Sequence, residues 1–224
     1  MNGPVTQQSP VSTGTSVLGI CYKDGVIIAA DDLASYGNMA RFMDVARVVK
    51  INDTTAAGCG GDFADFQHVS KLIEQKQIDE EADDDGFSLT PKALHSWLTR
   101  VQYNRRSKFD PFWNTWIVGG IQDGNPYLGY VDLLGLAFED KAVASGYGAY
   151  FARPMLDEAA NKSDLTEAEA KEVIKRCMTV LFARDCKAYS KYHMVTVSKQ
   201  GTTIEGPEEV KPDWSSAATI VGYE

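Results

Sequence analysis

Residues 14–31 read GTSVLGICYKDGVIIAAD. Two apolar, β-rich runs, 16–22 and 25–30, flank the turn Lys23-Asp24-Gly25. Asp-Gly between such runs predicts a hairpin, because Gly accepts the positive φ that a tight turn needs. The stretch commits the start of the chain to two antiparallel strands, and its ends carry chemistry. A Gly-Thr pair opens the first strand and an Asp closes the second. A Thr15 released by cleavage after Gly14 would hold a hydroxyl and a free α-amine on one residue. Such an amine is a known base for a weak nucleophile. Each residue alone has a plainer reading: Thr suits a strand start, and Asp suits the turn after a strand.

The 224 residues are 44% hydrophobic and 10% aromatic, enough to bury the core of one large domain or two small ones. No apolar run approaches the ~20 residues of a membrane span. The opening MNGPVTQQSPVST lacks the basic and apolar regions of a secretory signal. A net charge of −9 argues against a nucleic-acid footprint, which needs a basic face. Cys21, Cys59, Cys177 and Cys186 show neither metal-site spacing nor the density of a disulfide scaffold. They read as reduced, mostly buried thiols, with no metal and no cofactor expected.

Residues 1–14 are polar and read as an irregular arm. A loop is expected over 32–42, then strands over 46–52 and 54–60. Asp62 is placed to cap a helix, with Phe63, Phe66, Val69 and Ile73 on its apolar face. The acidic run 79–85 with Gly86 should end that helix. Thr90-Pro91 predicts the next N-terminus, with Leu94, Trp97, Leu98 and Val101 buried. Arg105, Arg106 and Lys108 then suit the negative end of its dipole. A second hairpin is expected about Asp123-Gly124, a single strand over 137–144 and a helix over 149–161. Thr166 and Glu169 form a capping box ahead of a stripe of Ala170, Val173, Ile174, Cys177 and Leu181. A last hairpin spans 193–205. Strands and helices in segregated runs predict an α+β fold with helices outside two sheets. The predicted organisation is one domain over 15–206 with two arms, 1–14 and 207–224. The second arm carries Trp214, Ile220, Val221 and Tyr223, apolar residues expected to dock on another molecule.

Together GTSVLGICY, GVIIAADDLASYG and GYGAYFARPML resemble a β subunit of the proteasome core particle. The resemblance runs from about Gly14 to the C-terminus. It implies the four-layer αββα sandwich of the N-terminal nucleophile hydrolases. QYNRRSKFDPFWNTWIVGG, YLGYVDLLG, LFARDCKAYS and the terminal VGYE are most similar to a ring position that is proteolytically silent. The implied role is structural, within ATP- and ubiquitin-dependent protein degradation in cytoplasm and nucleus. The implied partners are β subunits of the same and the opposite ring, and the α ring.

An active member of that family needs a processed Thr, an Asp after the second strand and a Lys from the following strand. Thr15 aligns with the nucleophile and Asp31, sixteen residues on, with the Asp. The lysine position, thirty-two residues past Thr15, holds Arg47. Arg is bulkier, planar and effectively never deprotonated, so it is expected to pair with Asp31 rather than move a proton. Gly61 aligns with the glycine that serves the oxyanion, but Asp62 and Phe63 follow it and should crowd a substrate pocket. Asp185 matches a late Asp of the site. Tyr147, between Gly146 and Gly148, stands where a serine is expected, and no matching serine is placed in 186–190. The resemblance thus marks a vestigial site at Thr15, Asp31, Arg47, Gly61 and Asp185, with no catalytic residue. The alternative is an active threonine peptidase, self-cleaved at Gly14–Thr15.

Overall fold

A computed structural model of the chain describes residues 10–212 and 214. Strand β1 (Ser12–Gly14) leads into the hairpin β2 (Val17–Tyr22) and β3 (Gly25–Asp31). Next come β4 (Ala34–Tyr36), β5 (Met39–Phe42), β6 (Val48–Lys50) and β7 (Thr55–Asp62). Helices α1 (Phe63–Ala82) and α2 (Pro91–Ser107) precede β8 (Asn114–Gln122), β9 (Asn125–Val131), β10 (Ala137–Glu139) and β11 (Ala142–Ala144). Helices α3 (Gly148–Phe151), α4 (Arg153–Ala160) and α5 (Glu167–Arg184) lead to β12 (Lys191–Ser198) and β13 (Gly201–Glu209).

These elements make two sheets. The larger runs β10-β9-β8-β7-β1-β4-β5, with β6 also on β7, and the smaller runs β11-β2-β3-β12-β13. Strand β3 shows why the layers stack. Val26, Ile28 and Ala30 point into the core between the sheets, while Ile27 and Ala29 point to the helices on the other side. Alternate side chains leave a strand on opposite faces, so a strand covered on both reads as an unbroken apolar run. Helices α4 and α5 cover the smaller sheet through Leu156, Ile174, Cys177 and Leu181. Helices α1 and α2 cover the larger one through Phe66, Val69, Ile73, Leu94 and Leu98. The αββα sandwich expected from the sequence is the observed fold.

Local signals hold where the chemistry is local. Asp62 caps α1 by accepting from the Ala64 and Asp65 N–H groups, Thr90 caps α2, and Thr166 with Glu169 closes a full capping box on α5. Asp123 and Gly124 both take positive φ, 51° and 79°, in the β8–β9 turn. The first hairpin forms for a different reason. Gly25 is not among the positive-φ glycines. It pairs across from Ser198, and a Cβ there would collide with the Val197 carbonyl and lie 2.6 Å from the Tyr22 hydroxyl. Close approach, not turn geometry, makes position 25 a glycine.

Several segments depart from the sequence reading. The loop expected over 32–42 is the hairpin β4–β5, with Gly37 at φ 59°. All four β5 residues are exposed, so no alternation marks them. Residues 12–14 are not irregular: β1 is inserted between β7 and β4. The acidic run does not stop α1 at 79, because Gln75–Asp79, Lys76–Glu80 and Gln77–Glu81 are bonded at the i,i+4 spacing that supports a helix. The expected strand over 137–144 is two strands in different sheets, β10 on β9 and β11 on β2. The expected helix over 149–161 breaks at Ala152, where Pro154 has no N–H to continue the ladder. At the other boundary β13 continues to Glu209 and Val210 is buried in the core, so the sandwich runs past 206. Trp214 is 57% exposed; Ile220, Val221 and Tyr223, like residues 1–9, lie outside the described residues. Of the four thiols, Cys59 and Cys177 are buried, Cys21 is half-buried and Cys186 is exposed.

Candidate functional site

The residues marked out in the sequence meet at one end of the sandwich, where β3 ends and β2 begins. Thr15 sits at the corner between β1 and β2. Asp31 is the last residue of β3, and Arg47 stands immediately before β6. Gly61 lies in β7 across from Gly14 of β1, and Asp185 is the C-cap of α5. Five segments from both sheets and one helix thus converge.

Arg47 is the centre. It is 2% exposed, and every one of its N–H donors has an acceptor. Nε donates to the Asp31 carbonyl at 3.1 Å. Nη1 donates to the carbonyls of Thr15 and Cys59, each at 3.1 Å. Nη2 donates to the Ser16 carbonyl at 3.3 Å and to the Asp31 carboxylate. A guanidinium has five donors and no acceptor, so its capacity is fully used. The bonds join the β1–β2 corner, the end of β3 and the middle of β7, which ties the two sheets together. The expected Arg47–Asp31 pair is present, and the four carbonyls around it go beyond that expectation.

Asp31 is held from its other side. Its second carboxylate oxygen accepts the Tyr189 N–H at 2.8 Å. Burial pushes its pKa up to about 6, while Arg47 and the Tyr189 N–H pull the other way. Thr15 Oγ1 donates to Asp185 Oδ2 at 2.6 Å, and Asp185 also accepts the Lys187 N–H at 2.9 Å. The Thr15 hydroxyl is thus engaged by a carboxylate, and Arg47 meets only the Thr15 carbonyl.

Gly14 takes on a second meaning here. A Cβ at this position would overlap Arg47 Cδ and Nε and lie 2.9 Å from Cζ. Glycine is needed for the guanidinium to reach the carbonyls, whether or not any bond beside it is ever cut. Gly61 has φ 96°, and a Cβ on it would collide with the Trp113 carbonyl. Both glycines of the expected motif are accounted for by packing.

Around Thr15 lies a cavity of about 270 Å³ lined by Gly14, Gly61, Thr115, Ser145, Tyr147 and Lys187, among others. Asp62 and Phe63 do not line it, contrary to expectation. Asp62 spends its carboxylate on the α1 cap and on the Val11 N–H at 2.8 Å, and Phe63 packs on Phe66 in the helix layer. Ser145 escaped the sequence reading, which looked between Gly146 and Gly148 rather than before them. Its hydroxyl accepts the Val17 N–H at 2.9 Å and lies at the cavity wall. The signal was the Ser-Gly step at the end of β11. Ser190, in the stretch where no serine was matched, is absent from this lining, and its carbonyl accepts the Val210 N–H at 2.8 Å.

Comparison with known proteins identifies the family. The model of the proteasome subunit family matches residues 11–197. The chain is 48% identical to proteasome subunit beta type-4 of Xenopus laevis, over 99% of this chain and 93% of that protein. It is 46% identical to proteasome subunit beta type-4 of Drosophila melanogaster, over 95% of this chain and 80% of that one. With proteasome subunit beta type-7 of Saccharomyces cerevisiae the identity is 37%, over 98% and 86%.

Proposed function

The chain belongs to the proteasome subunit family, and from that premise we propose that it is a structural β subunit of the core particle with no peptidase activity of its own. It takes the ring position named beta type-4 in some of its relatives and beta type-7 in others. The observation that carries the absence of activity is Arg47. A threonine peptidase needs a group that can take the hydroxyl proton. Arg47 has no basic form to offer and no free donor, and it serves as a clasp between the sheets. While the Gly14–Thr15 peptide is intact, the Thr15 nitrogen is an amide and not an amine.

The work of such a subunit is assembly. Its partners are neighbouring β subunits, the opposite β ring and the α ring, through the heterologous contacts that close a ring. The C-terminal arm with Trp214 adds an anchor for joining half-particles. A truncation that tests this starts at Lys211, because β13 and Val210 belong to the sandwich. The particle containing it works in cytoplasm and nucleus, which fractionation with imaging of the tagged chain tests.

Thr15→Ala in the assembled particle should leave every peptidase activity unchanged. Intact mass of the chain from its native particle should show an N-terminus upstream of Thr15. A chain beginning at Thr15, or selective loss of one activity in Thr15→Ala, would instead establish the self-cleaving peptidase.

A further inference from the structure

Helix α2 buries Leu94, Leu98 and Gln102 against the larger sheet. Arg100, Tyr103, Asn104 and Ser107, spaced i, i+3, i+4 and i+7, make its exposed outer face. The loop between β9 and β10 stands beside that face. Its Gly135 packs on Tyr103, where a Cβ would lie 2.8 Å from the Tyr103 Cβ. Helix and loop enclose a cavity of about 540 Å³, lined by Thr99, Arg100, Tyr103, Asn104, Lys108 and Gly135, among others.

The rim of this cavity holds apolar side chains out in water. Leu134 and Leu136, on either side of Gly135, are 53% and 60% exposed, and Phe109, just past the helix, is 89% exposed. All three are fixed by local bonds. The Leu134 and Leu136 N–H groups both donate to Asp132 Oδ1, at 2.8 and 2.9 Å, and the Gly135 N–H donates to the Asp132 carbonyl. Phe109 has φ 57°, a left-handed conformation that bulky residues rarely take. The Lys108, Phe109 and Asp110 N–H groups donate to the Arg105 and Arg106 carbonyls, each at 3.1 Å, and Arg105 closes the turn on Asp110 at 2.8 Å. An apolar residue held in a costly conformation with its side chain in water suggests a function for that side chain.

Charge marks the same place. The chain carries −9 overall, yet residues 100–108 hold Arg100, Arg105, Arg106 and Lys108 and no carboxylate. The helix dipole acts within the last turn, so it leaves Arg100 unexplained. Arg105 is used internally, on Asp110 and over the Phe112 ring at 4.4 Å. Among the described residues, Arg100, Arg106 and Lys108 stand in no ion pair.

We infer that the outer face of α2 and the β9–β10 loop form a docking surface for an acidic segment of another protein. An apolar side chain of that segment enters the cavity beside Tyr103, with Leu134, Leu136 and Phe109 around it. Its carboxylates meet Arg100, Arg106 and Lys108. Anchors already fixed in place lose little freedom on binding, and aromatic and Arg side chains are the usual centres of binding energy. An acidic segment is repelled by the net charge of the chain and attracted by this face, so charge selects the place of docking. A nucleic-acid backbone would use the cations and leave three apolar anchors in water.

The test places a photo-cross-linking residue at Asn104 and illuminates native complexes purified through a tag on the chain. The cross-link should fall in one protein segment, in which Asp and Glu outnumber Lys and Arg around an apolar residue. Arg106→Glu with Lys108→Glu changes only exposed side chains, and Phe109→Asn puts at φ 57° a residue that tolerates it. Each of these variants should cut the cross-link about tenfold. Lys in place of the acids of the identified segment should restore it in the charge-reversed variant. No cross-linked protein, a segment without excess acid, a cross-link to lipid or nucleic acid, or a yield unchanged in either variant overturns the inference. The reading as a ring subunit fails separately, if the purified complex holds no other proteasome subunit.

Discussion

Two buried networks of the sandwich satisfy their polar groups in different ways. At the Thr15 end the network is centred on Arg47, which has no neutral form and whose five donors are all committed. Between α2 and β9 a second network is centred on His95, whose ring nitrogens meet the Tyr127 hydroxyl at 2.7 Å and the Tyr130 carbonyl at 3.0 Å. A permanent charge with saturated donors can only hold a structure together. A ring with two partners, both on one strand, joins one helix to one sheet. Arg47 bonds segments of both sheets, whereas His95 bonds α2 to β9 alone.

The largest effect that would break this contrast is loss of the clasp. Arg47→Met leaves the Asp31 carboxylate buried without its cation, and four carbonyls lose donors. Removing one partner of a buried pair typically costs about 3–5 kcal/mol. Urea unfolding of the full chain should show a loss of that order. Arg47→Lys should fall short of rescue, because three donors cannot serve five acceptors. A lysine variant as stable as the parent would mean that the carbonyl bonds contribute little.

Gly14→Ala comes next. Its Cβ must displace the guanidinium, and overpacking of this kind costs about 1–3 kcal/mol. The clasp makes a sharper demand through coupling. In the Arg47→Met background the same alanine should cost much less, and a double-mutant cycle reads the difference. Additive losses would show that Gly14 is glycine for some other reason.

How much of this was legible follows the range of each interaction. Thr90, Asp62 and the Thr166–Glu169 box act within three residues, and all three were readable. The unbroken apolar run of β3 announced burial on both faces. The split of 137–144 was not readable, because its two halves differ only in distant partners, β9 and β2. At the site, spacing placed Thr15, Asp31 and Arg47 together, and a cation beside a carboxylate suggested their pairing. Nothing in one sequence shows which carbonyls a side chain will meet. The bonds to Thr15, Ser16 and Cys59 therefore emerged only with the fold. The same limit hid the use of Asp62, whose carboxylate serves a helix and a strand rather than the cavity.

At the His95 network the expected losses are smaller. Tyr127→Phe removes one hydroxyl and two hydrogen bonds but leaves Glu139 free to meet water. A net cost of about 1 kcal/mol follows from the ordinary worth of such bonds. A loss approaching that of Arg47→Met would erase the distinction between a clasp across both sheets and a contact at the edge of one.

The smallest effect concerns pH, and it falls on the clasp. In the folded chain burial already raises Asp31 to about 6, with Arg47 among the groups opposing that rise. A carboxyl raised by folding binds its proton more tightly in the native state than in the unfolded one. Its share of stability is therefore full at low pH and is lost as pH climbs through the folded value. In the parent chain that loss lies between about pH 4 and pH 6. Arg47→Met removes an opposing charge, so the folded value climbs further and the loss extends past pH 6. The variant should be less destabilised at pH 5 than at pH 7.5, by about 1.4 kcal/mol for each further unit of rise. Paired urea titrations at the two pH values measure this. An equal penalty at both would mean that Asp31 is relieved by water or by rearrangement when the guanidinium is gone, and that the burial of this end depends on the clasp itself.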